Sequence, residues 1–170
     1  MSLRHAVLGL LADRPASGYD LLKLFDTSLA TVWPATQSQI YTELTKLAQA
    51  GLITVVAEGP RGRKEYALTE QGMAELRQWL TETTPQRNTR SEILLRVFFL
   101  GVLTPGQAQA YLAELVDMSV QGEESLRRLA DSIDWDDDNL SSYGRIVLEY
   151  GLRFNAMRRE WAEWAAGQIK

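Results

Sequence analysis

Between Thr36 and Leu68 the sequence passes from one apolar periodicity to another almost without a break, and few folds accommodate that. Thr36 is placed to cap a helix running to about Ala50. Within it Ile40, Leu44 and Leu47 fall at i, i+4 and i+7, a narrow stripe for burial. Gly51 ends the helix, the usual role of glycine just past a helix C-cap. Leu52 to Ala57 is β-branched and apolar and reads as a strand; Glu58-Gly59-Pro60-Arg61-Gly62 is a turn-rich tip. Lys64 to Leu68 alternates charged with apolar residues and reads as the returning strand.

Helices flank this unit. Leu3, Val7, Leu10 and Leu11 repeat at helical spacing in a first helix that stops before Pro15. Ser17 with Asp20 forms a capping box for a second helix from about Gly18, with Tyr19, Leu21, Leu22, Leu24 and Phe25 as its apolar residues. Pro34 disfavours helix at Trp33, so a loop is expected there. Thr69 caps a fourth helix, about 70–83, with Met73, Leu76 and Leu80 on one face. Pro85 to Thr89 is a polar linker. The reading is of two domains, 1–83 and 90–170, in a mainly α-helical chain with a small β-wing.

The second domain differs in character. Ser91 to Leu100 is apolar nearly all round and is expected to be buried. Thr104-Pro105 opens a long helix. In it Ala108, Leu112, Leu115, Ser119, Gly122, Leu126, Leu129 and Ile133 alternate steps of four and three. Tyr143, Val147, Tyr150, Phe154, Met157, Trp161 and Trp164 do the same in the last helix, with larger side chains. That spacing is a coiled-coil seam and needs a partner helix, from its own chain, a second subunit, or both. These seven residues are the expected dimer contact.

Composition excludes several classes. Of 170 residues, 45% are apolar and 24% charged, so the chain is not largely disordered. Cysteine is absent, which removes disulfides and thiolate metal sites and fits a reducing cytosol. The apolar run Ala6 to Ala12 is far short of the roughly 20 residues a spanning helix needs. It lacks a signal-peptide cleavage pattern as well, so a cytoplasmic protein off the membrane is expected. The net charge is −4. Residues 1–83 are nearly neutral, with Arg61, Arg63 and Lys64 clustered at the tip. Sequence-specific DNA binding needs that local positive potential, not an overall basic chain.

Three helices, the third followed by a ribbon with a basic tip, make a winged helix-turn-helix. A DNA major groove, about 12 Å wide, admits one helix. Opposite its buried stripe the third helix carries Ser38, Thr42, Thr45 and Gln49, flanked by Tyr41 and Lys46, with Glu43 to one side. Ser, Thr and Gln can read base edges or phosphates, Lys46 can neutralise a phosphate, and Tyr41 can meet phosphate or a thymine methyl. Arg61, Arg63 and Lys64 would reach the adjacent backbone or minor groove.

The residues also resemble a family. Leu8-Gly9-Leu10-Leu11, then Ser17-Gly18-Tyr19-Asp20-Leu21, then Ser38-Gln39-Ile40-Tyr41 with Leu44, Leu47 and Gly51-Leu52-Ile53, then Arg63-Lys64-Glu65-Tyr66-Ala67-Leu68-Thr69-Glu70-Gln71-Gly72 are similar to the PadR family of transcriptional regulators. The helical remainder resembles the C-terminal domain of the branch called virulence-activator alpha. The resemblance implies a homodimer, usually a repressor, whose third helix reads the major groove of a palindromic operator. It implies DNA contact for Ser38 and Tyr41, and for Arg63-Lys64 as the basic part of a short wing. A small-molecule effector seated between the domains would extend this reading.

Other features have plainer readings. His5, the only histidine, reads as structural. Asp134-Trp135-Asp136-Asp137-Asp138 lacks the glycine and glutamate of a calcium loop, where Asn139 and Arg145 stand instead, and reads as a solvated turn. No nucleophile–base–acid set, glycine-rich phosphate loop or paired carboxylates appear, so an enzyme reading has no residues to stand on and no cofactor is expected. The competing class is a winged-helix protein-interaction module. Such a module would carry an apolar cluster on the third helix, where this chain has Ser, Thr, Gln and Lys.

Overall fold

The computed structural model describes residues 2–29, 33, 35–85, 90–136 and 138–169. Pro34, most of the expected linker and Asp137 lie outside the described residues. The chain divides into two compact units, Met1–Pro85 and Gln86–Lys170.

The first unit is a winged helix-turn-helix. Its elements run α1 (Ser2–Asp13), β1 (Ala16–Ser17), α2 (Gly18–Ser28), α3 (Gln37–Gln49), β2 (Ile53–Glu58), β3 (Lys64–Leu68) and α4 (Glu70–Glu82). Two capping boxes fix helix starts. Ser17 and Asp20 cap α2, and Thr36 and Gln39 cap α3, each pair satisfying two backbone donors that the helix cannot. Val7, Leu8, Leu21, Phe25, Ile40, Leu44, Leu47 and Leu52 form one closed core. Burying such side chains stabilises by roughly 1.5–3 kcal/mol each. The sheet is antiparallel in the order β1-β3-β2, with Ser17 opposite Glu65 and Glu58 opposite Lys64. Only Ile53 of β2 is buried, so the outer ribbon projects as a wing.

Two glycines fix the joint beneath the wing. Gly51 has φ +71°, a backbone that favours glycine, and turns α3 into β2. Gly72 stands where a Cβ would lie 2.1 Å from the Leu52 carbonyl oxygen. That oxygen accepts from the Thr69 N–H at 3.1 Å and from the Thr69 hydroxyl at 2.9 Å. Elsewhere α4 is tied to α1 by a two-pronged Arg4–Glu75 pair at 2.5 and 2.8 Å. His5 stacks on Trp79 with centroids 4.5 Å apart. Leu76 is buried as expected, but Leu80 is exposed: the face of α4 turned to the core runs through Gly72, Leu76 and Trp79, and Leu80 lies off it.

The second unit holds α5 (Glu92–Phe98), α6 (Pro105–Ser132) and α7 (Asn139–Ala166). Thr104 and Gln107 cap α6, with Pro105 at its first position. Asp138 caps α7 by accepting from the Ser141 N–H. The long helices pack on each other, and Ala108, Leu112, Leu115, Ser119 and Leu126 of the α6 seam are buried. The face of α7 that meets them is not the aromatic stripe. A Cβ on Gly151 would lie 2.8 Å from Leu126 Cδ1, and one on Gly122 would lie 2.6 Å from Asn155 Oδ1. Ala162 and Ala165 close the same face. This small-residue face sits one position further along the sequence than the aromatic seam, about 100° around the helix. Glu123, buried between the helices, is held by Arg127 and, at 3.1 Å, by Arg159.

The aromatic seam is therefore free of its own α6 over most of its length. Tyr143, Val147, Tyr150, Phe154, Met157 and Trp164 are exposed, Tyr150 by 70%. Trp161 is half-buried against Leu112, Leu115 and Ala162 of its own chain. The expectation that residues 91–100 are buried does not hold within one chain. Ile93, Val97 and Leu100 pack against α6 and α7, but Leu94, Leu95, Phe98 and Phe99 are exposed. A short helix laid on two long ones covers one stripe, and an all-apolar sequence leaves the others bare.

Candidate nucleic-acid interface

Burial of Ile40, Leu44 and Leu47 sets the rotation of α3, since helical residues one to two positions off that stripe must face outward. Ser38, Tyr41, Thr42, Thr45, Lys46 and Gln49 are all exposed. The Thr45 hydroxyl donates to the Tyr41 carbonyl at 3.0 Å, which leaves its oxygen free to accept. Glu43 is half-buried off to one side, so no carboxylate stands in the middle of this face.

Tyr41 is more constrained than its exposure suggests. Its ring lies against Gly18 at the start of α2: a Cβ there would meet Cε1 at 2.6 Å. Glycine at position 18 thus lets the phenol ring rest on the start of α2. The neighbouring Tyr19, counted among the apolar residues of the second helix, is 66% exposed on the same turn. Sequence periodicity missed it because tyrosine scores as apolar wherever it points.

The wing brings its cations close to carboxylates. Pro60–Gly62 is a short 3-10 turn and Gly62 has φ +74°. The Arg61 side chain lies outside the described residues. Lys64 and Glu58, paired across the ribbon, stand 4.0 Å apart at the surface, a contact worth little in water. Arg63 Nη2 donates to Asp20 Oδ2 at 2.8 Å. The same carboxylate accepts from the Ser17 hydroxyl at 2.6 Å and the Ser17 N–H at 3.3 Å. The Ser17 hydroxyl above all, with its N–H and the Arg63 guanidinium, holds the Asp20 carboxyl below its ordinary range. Asp20 was legible in the sequence only as a cap; its pairing with Arg63, across the sheet, was not.

Comparison with known proteins decides the family. Residues 7–78 match the Transcriptional regulator PadR-like family, and residues 89–170 match the Virulence activator alpha C-term family. The chain is 33% identical to the negative transcriptional regulator PadR of Bacillus subtilis, over 95% of this chain and 93% of that protein. This chain belongs to the PadR family of transcriptional regulators. Solved structures in the family agree in fold. Bacillus subtilis PadR in complex with operator DNA superposes with a TM-score of 0.84 at 28% identity, covering 100% of both chains. The same regulator in complex with p-coumaric acid gives 0.83 at 29% identity over 99% of each. The Vibrio cholerae virulence activator AphA gives 0.81 at 26% identity, covering 98% of this chain and 97% of that one. The fold is that of a winged-helix regulator of this family, and the relatives are regulators, not enzymes. No helix among the described residues is long and apolar enough to cross a membrane.

Proposed function

We propose that this chain is a cytoplasmic repressor that binds a palindromic DNA operator as a homodimer and is relieved by a small-molecule effector. One observation carries the DNA reading: α3 buries its large aliphatic side chains, Ile40, Leu44 and Leu47, and apart from the small Ala48 it exposes polar, cationic or hydroxyl-bearing residues, among them Ser38, Tyr41, Thr42, Thr45, Lys46 and Gln49. That is a groove-reading face. It lacks the apolar cluster by which an interaction module would dock. Bacillus subtilis PadR, of like fold, is described with operator DNA and with p-coumaric acid, which supports both the DNA partner and an effector. The sign of regulation follows that relative, described as negative. Residues 1–83 serve as the DNA-binding domain and 90–170 as the dimerisation domain. In the dimer, two α3 helices about one DNA turn apart, roughly 34 Å, read the two half-sites.

An electrophoretic shift with the duplex upstream of its own coding region tests this. Thr42→Ala removes an exposed side chain of α3 and is expected to weaken operator binding by roughly 1–3 kcal/mol with the fold intact; Tyr41→Ala is expected to weaken it on the same scale, and it also takes away the packing of the ring on Gly18. Unchanged affinity in both variants removes α3 as the reading helix. At the wing, Lys64→Ala is expected to weaken binding to all sequences alike and to lower the salt slope by about one unit, the signature of one phosphate contact. A loss confined to one base position means the wing reads sequence.

A further inference from the structure

We propose that Asp20 is a positioning residue that fixes the wing arginine, Arg63, in the pose in which it meets the DNA backbone. The inference rests on the DNA-binding reading above and names how one part of that interface is preorganised.

β3 pairs with β1 as well as with β2, and Ser17 stands opposite Glu65. The root of the wing is therefore laid beside the turn that starts α2, and Arg63 arrives within reach of residue 20. The Asp20 carboxylate is not a loose surface group. Two bonds from Ser17, itself buried, set its orientation before Arg63 joins it. Arg63 gives it one nitrogen only, and 61% of the arginine side chain stays accessible. A guanidinium presents several N–H donors in a rigid fork, so one can be spent on Asp20 while the rest face solvent.

The consequence concerns entropy and register. A hairpin arginine without an anchor loses rotamer freedom each time it settles on a phosphate; one already held does not. The same α2 turn carries Gly18, against which the Tyr41 ring rests. Wing and reading helix are thus both indexed to one helical turn. A carboxylate this near to phosphates would repel them alone, and Arg63 neutralises it.

The test is a double-mutant cycle on the full-length chain. The probe is the duplex that the wild-type protein itself selects from a random-sequence pool. Asp20→Asn keeps the cap, since the asparagine oxygen still accepts from Ser17, but loses the ion pair. It is expected to weaken binding roughly two- to fivefold, the scale of an exposed ion pair. Arg63→Ala is expected to weaken binding at least as much, and the double variant to bind like Arg63→Ala alone. Binding by Asp20→Asn as tight as wild type, or tighter, overturns the proposal. So does a loss that persists undiminished in the Arg63→Ala background, because Asp20 would then act through α2 and not through Arg63. Two readouts on the DNA-free protein need no operator. Arg63 Nε–H relaxation is expected to show a rigid side chain in wild type that becomes mobile in Asp20→Asn. In Arg63→Ala, which leaves the cap untouched, the Asp20 carboxyl is expected to titrate higher than in wild type. A mobile wild-type Arg63, or an unmoved Asp20 titration, overturns the anchor. Failure of the wild type to select any duplex overturns the DNA reading itself.

Discussion

At micromolar concentration the wild-type protein is expected to sediment as a dimer, and full-length protein carrying Tyr150→Asp with Phe154→Asp as a monomer. The two rings stack on each other with centroids 6.1 Å apart on the exposed face of α7. Neither faces the packed α6 side, which is made by Gly151, Asn155, Ala162 and Ala165. The substitutions thus leave the interior of the unit alone. In a homodimer each would bury a carboxylate with no partner, at several kcal/mol per charge. Every 1.4 kcal/mol is tenfold in affinity, so the dimer constant should fall by about a thousandfold or more. The aromatic stripe and the bare α5 residues Leu94, Leu95, Phe98 and Phe99 make more exposed apolar surface than a monomer normally leaves. Trp161→Asp is the poorer probe, because Trp161 packs against its own chain and its loss would loosen the α6–α7 pair. Analytical ultracentrifugation decides the matter. A monomeric wild type, or a double variant that stays dimeric, moves the contact off α7.

Gly72→Ala is expected to destabilise the first unit by roughly 3 kcal/mol, at the upper end for overpacking. Helix propensity predicts the opposite, since alanine in a helix is better than glycine by roughly 0.5–1 kcal/mol. Sterics win because the obstructing atom belongs to the backbone. The new methyl would sit 2.1 Å from the Leu52 carbonyl oxygen and 2.7 Å from Leu68 Cδ1. The carbonyl can retreat only by giving up its bonds from Thr69, which join the end of α3 to the start of α4. Chemical denaturation of the full chain, followed by a probe in the first unit, measures this. Stability equal to or above wild type shows that the joint yields and that propensity governs the site.

Much of the fold was legible because its signals are local. Ser17 with Asp20, Thr36 as a cap and Thr104 with Pro105 announce helix starts within a few residues, and the structure adds Gln39 as the partner of Thr36. The Ile40, Leu44, Leu47 stripe announces which way α3 faces. The rest depended on contacts between distant parts of the chain. Apolar spacing marked α7 as seamed, but not that the α6-facing seam is the small-residue one, because glycine, asparagine and alanine carry no hydrophobic signal. An all-apolar α5 signalled burial without saying whether the same chain supplies the cover. In the candidate site, the exposed α3 residues followed from periodicity alone. The Arg63–Asp20 pair and the Tyr41 ring on Gly18 did not, since each joins elements that only the folded sheet and helix pair bring together.

From a random-sequence pool of duplexes the purified full-length chain is expected to enrich a palindrome with half-sites about one helical turn apart, bound by the wild type and bound weakly by Thr42→Ala. A pool whose composition never departs from its starting mixture would mean that α3 does not read DNA.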